Sequence, residues 1–186
     1  MDYRKIMHRL FVALSVPPEI SDRLTGLQNG LEGARWRPLE NFHMTLAFIG
    51  EVDRHGLAAA TDALSGIEAP AFSLRLSGIG SFGSRKPRAV WVGVEPSDKL
   101  AHLQSKVENA LRNAGFELEH RKFTPHVTLA YLSGARREAV FEYCSANGMF
   151  STVEFSVDAF HLYSSGLGSG ASHYEVEASY SLSLSR

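Results

Sequence analysis

The chain has 186 residues, enough for one domain with a sizeable core or for two small lobes that share one. Its 44% hydrophobic and 21% charged residues are ordinary for a soluble globular protein. A formal net charge of -1 excludes a strongly basic protein that coats long nucleic acid by counterion release, while leaving room for a local basic site that holds one phosphate.

A single cysteine, Cys144, can form neither an internal disulfide nor a Cys-rich zinc site, which points to a reducing compartment and a cytoplasmic protein. The N-terminal "MDYRKIMHRLFVALSVPPEI" loosely imitates a signal peptide. Its apolar run, Leu10 to Val16, is short, ends in Pro17-Pro18 and lacks a small-x-small cleavage site. No stretch approaches the roughly 20 apolar residues of a membrane span, so no membrane partner is expected.

In chain order, Arg9 to Val16 reads as a β-rich apolar strand, and the prolines after it are well placed to open a helix. That helix is predicted from Glu19 to about Asn29, with Ile20, Leu24, Leu27 and Leu31 at helical spacing. A strand over His43 to Ile49 follows, and Asp53 then caps a helix whose apolar face carries Leu57, Ala60 and Leu64. Phe72, Leu74 and Leu76 alternate as a strand. The loop Gly83 to Arg88 leads to the strand Ala89 to Val94.

Ser97 caps the clearest helix, with Leu100, Leu103, Val107 and Leu111 as its stripe and Gly115 as its stop. A strand from His126 to Leu132, a helix over roughly Arg136 to Ala146, and strands near Val153 to Tyr163 and Tyr174 to Leu184 complete the chain. The last two strands are joined by a Gly/Ser hairpin loop, "SSGLGSGAS".

Two of these strands open on nearly the same words, "HMTLA" at His43 and "HVTLA" at His126. Each half of the chain, about 9–80 and about 88–184, reads strand, helix, strand with His-x-Thr, helix, strand. The expected architecture is one domain over 1–186 in two pseudo-symmetric lobes, with the two motifs facing each other. Side chains two apart on a strand share a face. His43 and Thr45 therefore point one way, and Met44 and Leu46 the other, into the core. His126 and Thr128 stand likewise against Val127 and Leu129.

One such tetrad arises by chance about 0.05 times in a chain of this composition, and a matched pair about 0.001 times, so only the pair is informative. A pair of imidazoles with a pair of hydroxyls suits phosphoryl transfer without a metal. With an unperturbed pKa near 6.5, one ring can accept a proton from water while the other donates one to the leaving oxygen. The threonine hydroxyls can donate to non-bridging phosphate oxygens. A metal is not expected, because neither motif has a carboxylate or thiolate at i+2, and a serine-hydrolase elbow is missing.

These motifs resemble those of the two-histidine (2H) phosphoesterase superfamily. Within it the chain looks most like the RNA 2',3'-cyclic phosphodiesterases, also called bacterial 2'-5' RNA ligases. The blocks "RLFVALSVPPEI", "ENFHMTLAFIGEV", "KPRAVWVGVE", "RKFTPHVTLAYL" and "FHLYSSGLGSGASHYEV" carry the resemblance in order over nearly the whole chain.

The resemblance implies an α+β, bilobal fold with antiparallel sheets, helices packed outside and a groove between the lobes. It implies a cofactor-free monomer that opens a terminal 2',3'-cyclic phosphate on RNA to a 2'-phosphate, with reversible 2'-5' RNA ligation as an accompanying activity. By the same match His43 is the proton donor and His126 the proton acceptor, whereas the residues alone leave the two roles interchangeable. Thr45 and Thr128 are expected on the phosphate, and Arg121 matches a family arginine that would contact phosphate or ribose.

Tyr131 departs from the pattern, since many members place an arginine there; that role is unfilled or moved elsewhere. Other branches of the superfamily, acting on ADP-ribose cyclic phosphate or 2'-5' oligonucleotides, are alternatives, as is a non-catalytic module that binds RNA ends. Phe42 and Phe123 are candidates for base stacking, with core packing as the competing fate. Arg85, Lys86 and Arg88 form the densest basic cluster, a candidate for steering RNA or simply a solvated loop.

Overall fold

Two four-stranded sheets, antiparallel throughout, make up the two lobes of the computed structural model, which describes residues 7–120, 122–166 and 173–183. The first half of the chain supplies β1 (His8–Ser15), α1 (Pro18–Thr25), β2 (Ala34–Trp36), β3 (His43–Val52), α2 (Arg54–Ser65), β4 (Phe72–Leu74) and β5 (Leu76–Phe82). The second supplies β6 (Ala89–Val94), α3 (Asp98–Asn113), β7 (His126–Leu132), α4 (Arg137–Ala146), β8 (Phe155–Val157), β9 (Ala159–Ser165) and β10 (Tyr174–Ser181).

Local chemistry sets the helix ends. The Asp53 carboxylate accepts from the backbone N–H groups of His55 and Gly56, both at 3.0 Å, and so starts α2. Ser97 Oγ accepts from Leu100 N–H at 3.2 Å at the start of α3. Along α3, Leu100, Leu103, Val107 and Leu111 are all buried, as the helical stripe requires. The helix α1 stops at Thr25, a turn earlier than its apolar spacing predicts. Leu27 and Leu31 remain buried although they leave the helix, so their spacing reported burial and not helical backbone.

The predicted strand near Val153 to Tyr163 is broken at Asp158 into β8 and β9. Residues 167–172 of the Gly/Ser loop lie outside the described residues. Its flanks pair as a hairpin would, with Ser165 opposite Tyr174.

The order strand, helix, His-x-Thr strand, helix, strand recurs as β1-α1-β3-α2-β4 and β6-α3-β7-α4-β8. The sheets, however, do not divide where the repeat does. One sheet runs β10-β9-β1-β3 and the other β2-β7-β6-β5. The short β2, from the first half, therefore caps the edge of the second sheet beside β7, while β9 and β10, from the second half, complete the first. β4 and β8 also pair across the repeat. This exchange ties the lobes together and places β3 at the edge of its sheet, next to β7.

Both motif strands carry the same irregularity. Against β1, Val12 faces Ala47 and Ala13 faces Thr45, so Leu46 is the extra residue; against β6, Val90 faces Ala130 and Trp91 faces Thr128, so Leu129 is. A bulge inserts one residue and shifts the in/out alternation beyond it. Leu46 and Ala47 are consequently both buried, as are Leu129 and Ala130, and the next residues, Phe48 and Tyr131, turn outward on the histidine side.

Candidate active site

Each motif histidine is the first residue of its strand, where the chain enters the sheet. His43 Nδ1 lies 2.8 Å from the carbonyl oxygen of Asn41, and His126 Nδ1 lies 2.6 Å from that of Thr124. A carbonyl can only accept, so in both rings the Nδ1–H donates, which puts the lone pair of a neutral ring on Nε2. Backbone two residues upstream thus sets the tautomer of each ring, in the same way in both lobes.

Aromatic rings hold the imidazoles in place. Around His43 pack Phe11, Tyr163 and Tyr174, with ring centres at 4.9, 6.4 and 5.2 Å. Around His126 pack Phe82 at 4.8 Å, edge-on, and Trp91 at 5.9 Å. The indole of Trp91 lies directly over Gly80, where a Cβ would stand 2.3 Å from the ring. Only glycine at that point of β5 leaves room for the Trp91 ring where it packs, tilted, beside His126.

The two histidines and the two threonines meet in one groove between the sheets. His43, Thr45, His126 and Thr128 all line it, together with Phe11, Arg37, Asn41, Phe48, Tyr131 and Tyr174. The predicted convergence of the motifs is therefore what the fold produces. The lining groups are mixed, apolar rings beside a few placed polar atoms, which is the usual character of a ligand site.

Burial holds the pKa of His43 down to about 4, against the hydrogen bond from its ring to Asn41, which works the other way; the charges of Arg37 and His126 lower it further. His43 is therefore neutral near pH 7, with the lone pair on Nε2.

The other candidates separate clearly. Arg121 lies outside the described residues. Phe42 is in the core, and Phe123 lines a neighbouring hollow that shares Thr45, Phe48, Phe82 and His126 with the groove. Arg85, Lys86 and Arg88 are exposed on their loop and do not line the groove. Cys144 is half-buried on α4, with its thiol pKa raised by that burial, the reverse of an activated nucleophile. Among the described residues, no group of three or more His, Cys, Asp or Glu side chains is placed to hold a metal ion, and no helix is long and apolar enough to cross a membrane.

Sequence reasoning missed Arg37 and the outward turn of Phe48. Arg37, just past β2, is nearly buried in the groove wall, with its guanidinium carbon 5.4 Å from the Tyr131 ring centre and 5.6 Å from that of Tyr174. The signal for Phe48 and Tyr131 was present: both motifs continue His-x-Thr-Leu-Ala-aromatic, one residue off strict alternation.

Comparison with known proteins gives the same picture. A family described as the 2'-5' RNA ligase superfamily matches residues 16–168. The Thermotoga maritima protein named RNA 2',3'-cyclic phosphodiesterase is 33% identical over 179 residues, covering 90% of this chain and 92% of its own. The crystal structure of E. coli LigT complexed with 3'-AMP superposes with a TM-score of 0.78 at 27% identity, covering 95% of this chain and 99% of that one. The crystal structure of a Thermus thermophilus protein, TT0787, gives 0.79 at 26% identity, over 96% and 100%. With paired His-x-Thr strands, a shared groove and these relatives, the chain belongs to the 2'-5' RNA ligase superfamily, the two-histidine phosphoesterases.

Proposed function

We propose that this phosphodiesterase opens the 2',3'-cyclic phosphate at the end of an RNA to a 2'-phosphomonoester, by proton transfer between His43 and His126 and without a metal. The observation that carries this reading is the pair of Nδ1–carbonyl hydrogen bonds, which leave Nε2 of each ring as the proton-transferring atom in one groove. The relatives named RNA 2',3'-cyclic phosphodiesterase support the choice of substrate.

In this scheme His126 Nε2 takes a proton from water as the water oxygen bonds to phosphorus. The P–O3' bond breaks, and His43 Nε2–H delivers a proton to the departing 3' oxygen. Each transfer is typically worth about 10²–10⁴-fold in rate. Thr45 and Thr128 donate to the non-bridging oxygens, where negative charge sits in the transition state.

The acid role asks His43 to be charged when substrate is bound. The incoming phosphate supplies the reason, since an anion beside the ring favours imidazolium and offsets the neighbouring Arg37. Ligation would use the same steps with an RNA 5'-hydroxyl attacking phosphorus in place of water, so that a 2'-5' phosphodiester forms as the P–O3' bond breaks. Both histidines come from one chain, which supports a monomer as the catalytic unit.

The test compares turnover on three substrates: a short RNA with a 2',3'-cyclic end, ADP-ribose cyclic phosphate, and a 2'-5' oligonucleotide. Preference for the first by kcat/KM is expected. Equal or higher rates on either of the others would assign the chain to a different branch.

A further inference from the structure

We propose that Arg37 is the anion-binding residue of the groove, its guanidinium holding non-bridging oxygens of the phosphate that sits between His43 and His126. The proposal rests on the reading that this groove holds a phosphodiester.

Arg37 is 9% exposed, yet among the described residues its side chain forms no ion pair with a carboxylate. A buried cation with no counter-charge is costly to a fold unless something repays the desolvation. Here the protein keeps it nonetheless, with its backbone anchored on both sides. Arg37 N–H donates to the carbonyl of Leu129 at 2.8 Å, at the bulge of β7, and Gln28 Nε2 donates to the Arg37 carbonyl at 2.7 Å. The guanidinium is held between the rings of Tyr131 and Tyr174, and its Nη2–H donates to Tyr174 Oη at 2.8 Å.

That hydrogen bond uses one of the five N–H donors in the guanidinium fork. Because Arg37 lines the groove, the fork is available to a ligand there, and its planar geometry matches two oxygens of a phosphate at once. Tyr174 also places it relative to the chemistry, since the same tyrosine ring packs edge-on against His43 at 5.2 Å. Tyr131, on β7, presents a ring face to Arg37, so the positive charge from the end of β2 reaches the β7 side of the groove.

A purely structural role, in which the guanidinium only staples β7 to β10 through the two rings, makes different predictions. Binding of inorganic phosphate to the full chain, followed by calorimetry or NMR shifts, separates the two. In Arg37→Met, which keeps the apolar stem, phosphate binding should weaken about tenfold or more, as expected for loss of a charge-assisted pair. KM for a cyclic-ended RNA should rise, and the salt dependence of binding should flatten. Arg37→Lys, which keeps the charge but not the fork, should recover part of the loss.

Phosphate bound by Arg37→Met within twofold of the wild type would overturn the proposal, whatever happens to its melting temperature. Should Arg37→Met fail to fold, unweakened binding by Arg37→Lys would do the same. Wild-type protein that binds phosphate through Arg37 but turns over no cyclic phosphate would instead refute the proposed function and leave this inference standing.

Discussion

His43 and His126 are oriented by the same device: each Nδ1 is hydrogen-bonded to the carbonyl two residues upstream, Asn41 at 2.8 Å and Thr124 at 2.6 Å. In the proposed scheme one ring takes a proton from the attacking hydroxyl and the other gives one to the departing 3' oxygen, whether water or an RNA 5'-hydroxyl attacks. Removing either ring should therefore disable the reaction with either nucleophile. His43→Ala and His126→Ala should each lower kcat by about 10²–10⁴-fold. Their circular dichroism and cooperative melting should match the wild type, because both rings face the groove and not the core. Near-normal turnover in either variant would contradict the assignment.

Stability should carry the signature of His43. Its folded pKa of about 4 lies below the unfolded value near 6.5, so on acidification the unfolded chain takes up a proton before the folded one does. The contribution is fully present above about pH 6.5 and is lost as pH falls toward 4. Urea unfolding at pH 8 and pH 4.5 measures it. The wild type should lose about 2 kcal/mol more than His43→Gln over that interval, an order-of-magnitude figure. Equal losses would mean that the ring is not desolvated.

Phe48 is 47% exposed and stands beyond the bulge of β3 on the histidine side. If the groove takes a single-stranded RNA end as proposed, this exposed aromatic on its wall is placed to stack on a base, a contact worth about 1–3 kcal/mol. Phe48→Ala should raise KM for a cyclic-ended oligonucleotide by about 5–150-fold, the equivalent of that energy. The melting temperature should hardly move, as for other exposed positions. An unchanged KM would place the base elsewhere.

Gly80→Ala puts a methyl group where the Trp91 ring lies and should push the indole toward His126. Turnover should fall several-fold in a protein that still folds, with a changed tryptophan emission as the sign of the displaced ring. Chelation is a simpler test: dialysis against EDTA should leave the rate unaltered, because the scheme uses only side chains.

Much of this site could be read from the chain itself. The repeat of His-x-Thr-Leu-Ala on two alternating strands, with Met44, Leu46, Val127 and Leu129 fixing which face is core, placed both histidines and both threonines on the groove side. Asp53 and Ser97 were legible as caps because capping is local chemistry. What stayed hidden depends on contacts distant in sequence. The exchange of β2, β9 and β10 between sheets follows from pairing partners far along the chain, which no window of sequence contains. Arg37 reads as one more surface arginine until β2 is seen to lie beside β7. The bulges at Leu46 and Leu129 break a period of two, so strict alternation predicted Ala47 and Ala130 on the groove face, where Phe48 and Tyr131 stand instead.

The central claim is that two imidazoles act on one phosphorus, one giving and one taking a proton. Phosphorus NMR of a short RNA with a 2',3'-cyclic end, incubated with the chain in the presence of EDTA, tests it most directly. A single new signal from a 2'-phosphomonoester, appearing with the wild type and with neither histidine variant, is the predicted result. A 3'-phosphate product, or the same product formed by His43→Ala and His126→Ala at the wild-type rate, would contradict it.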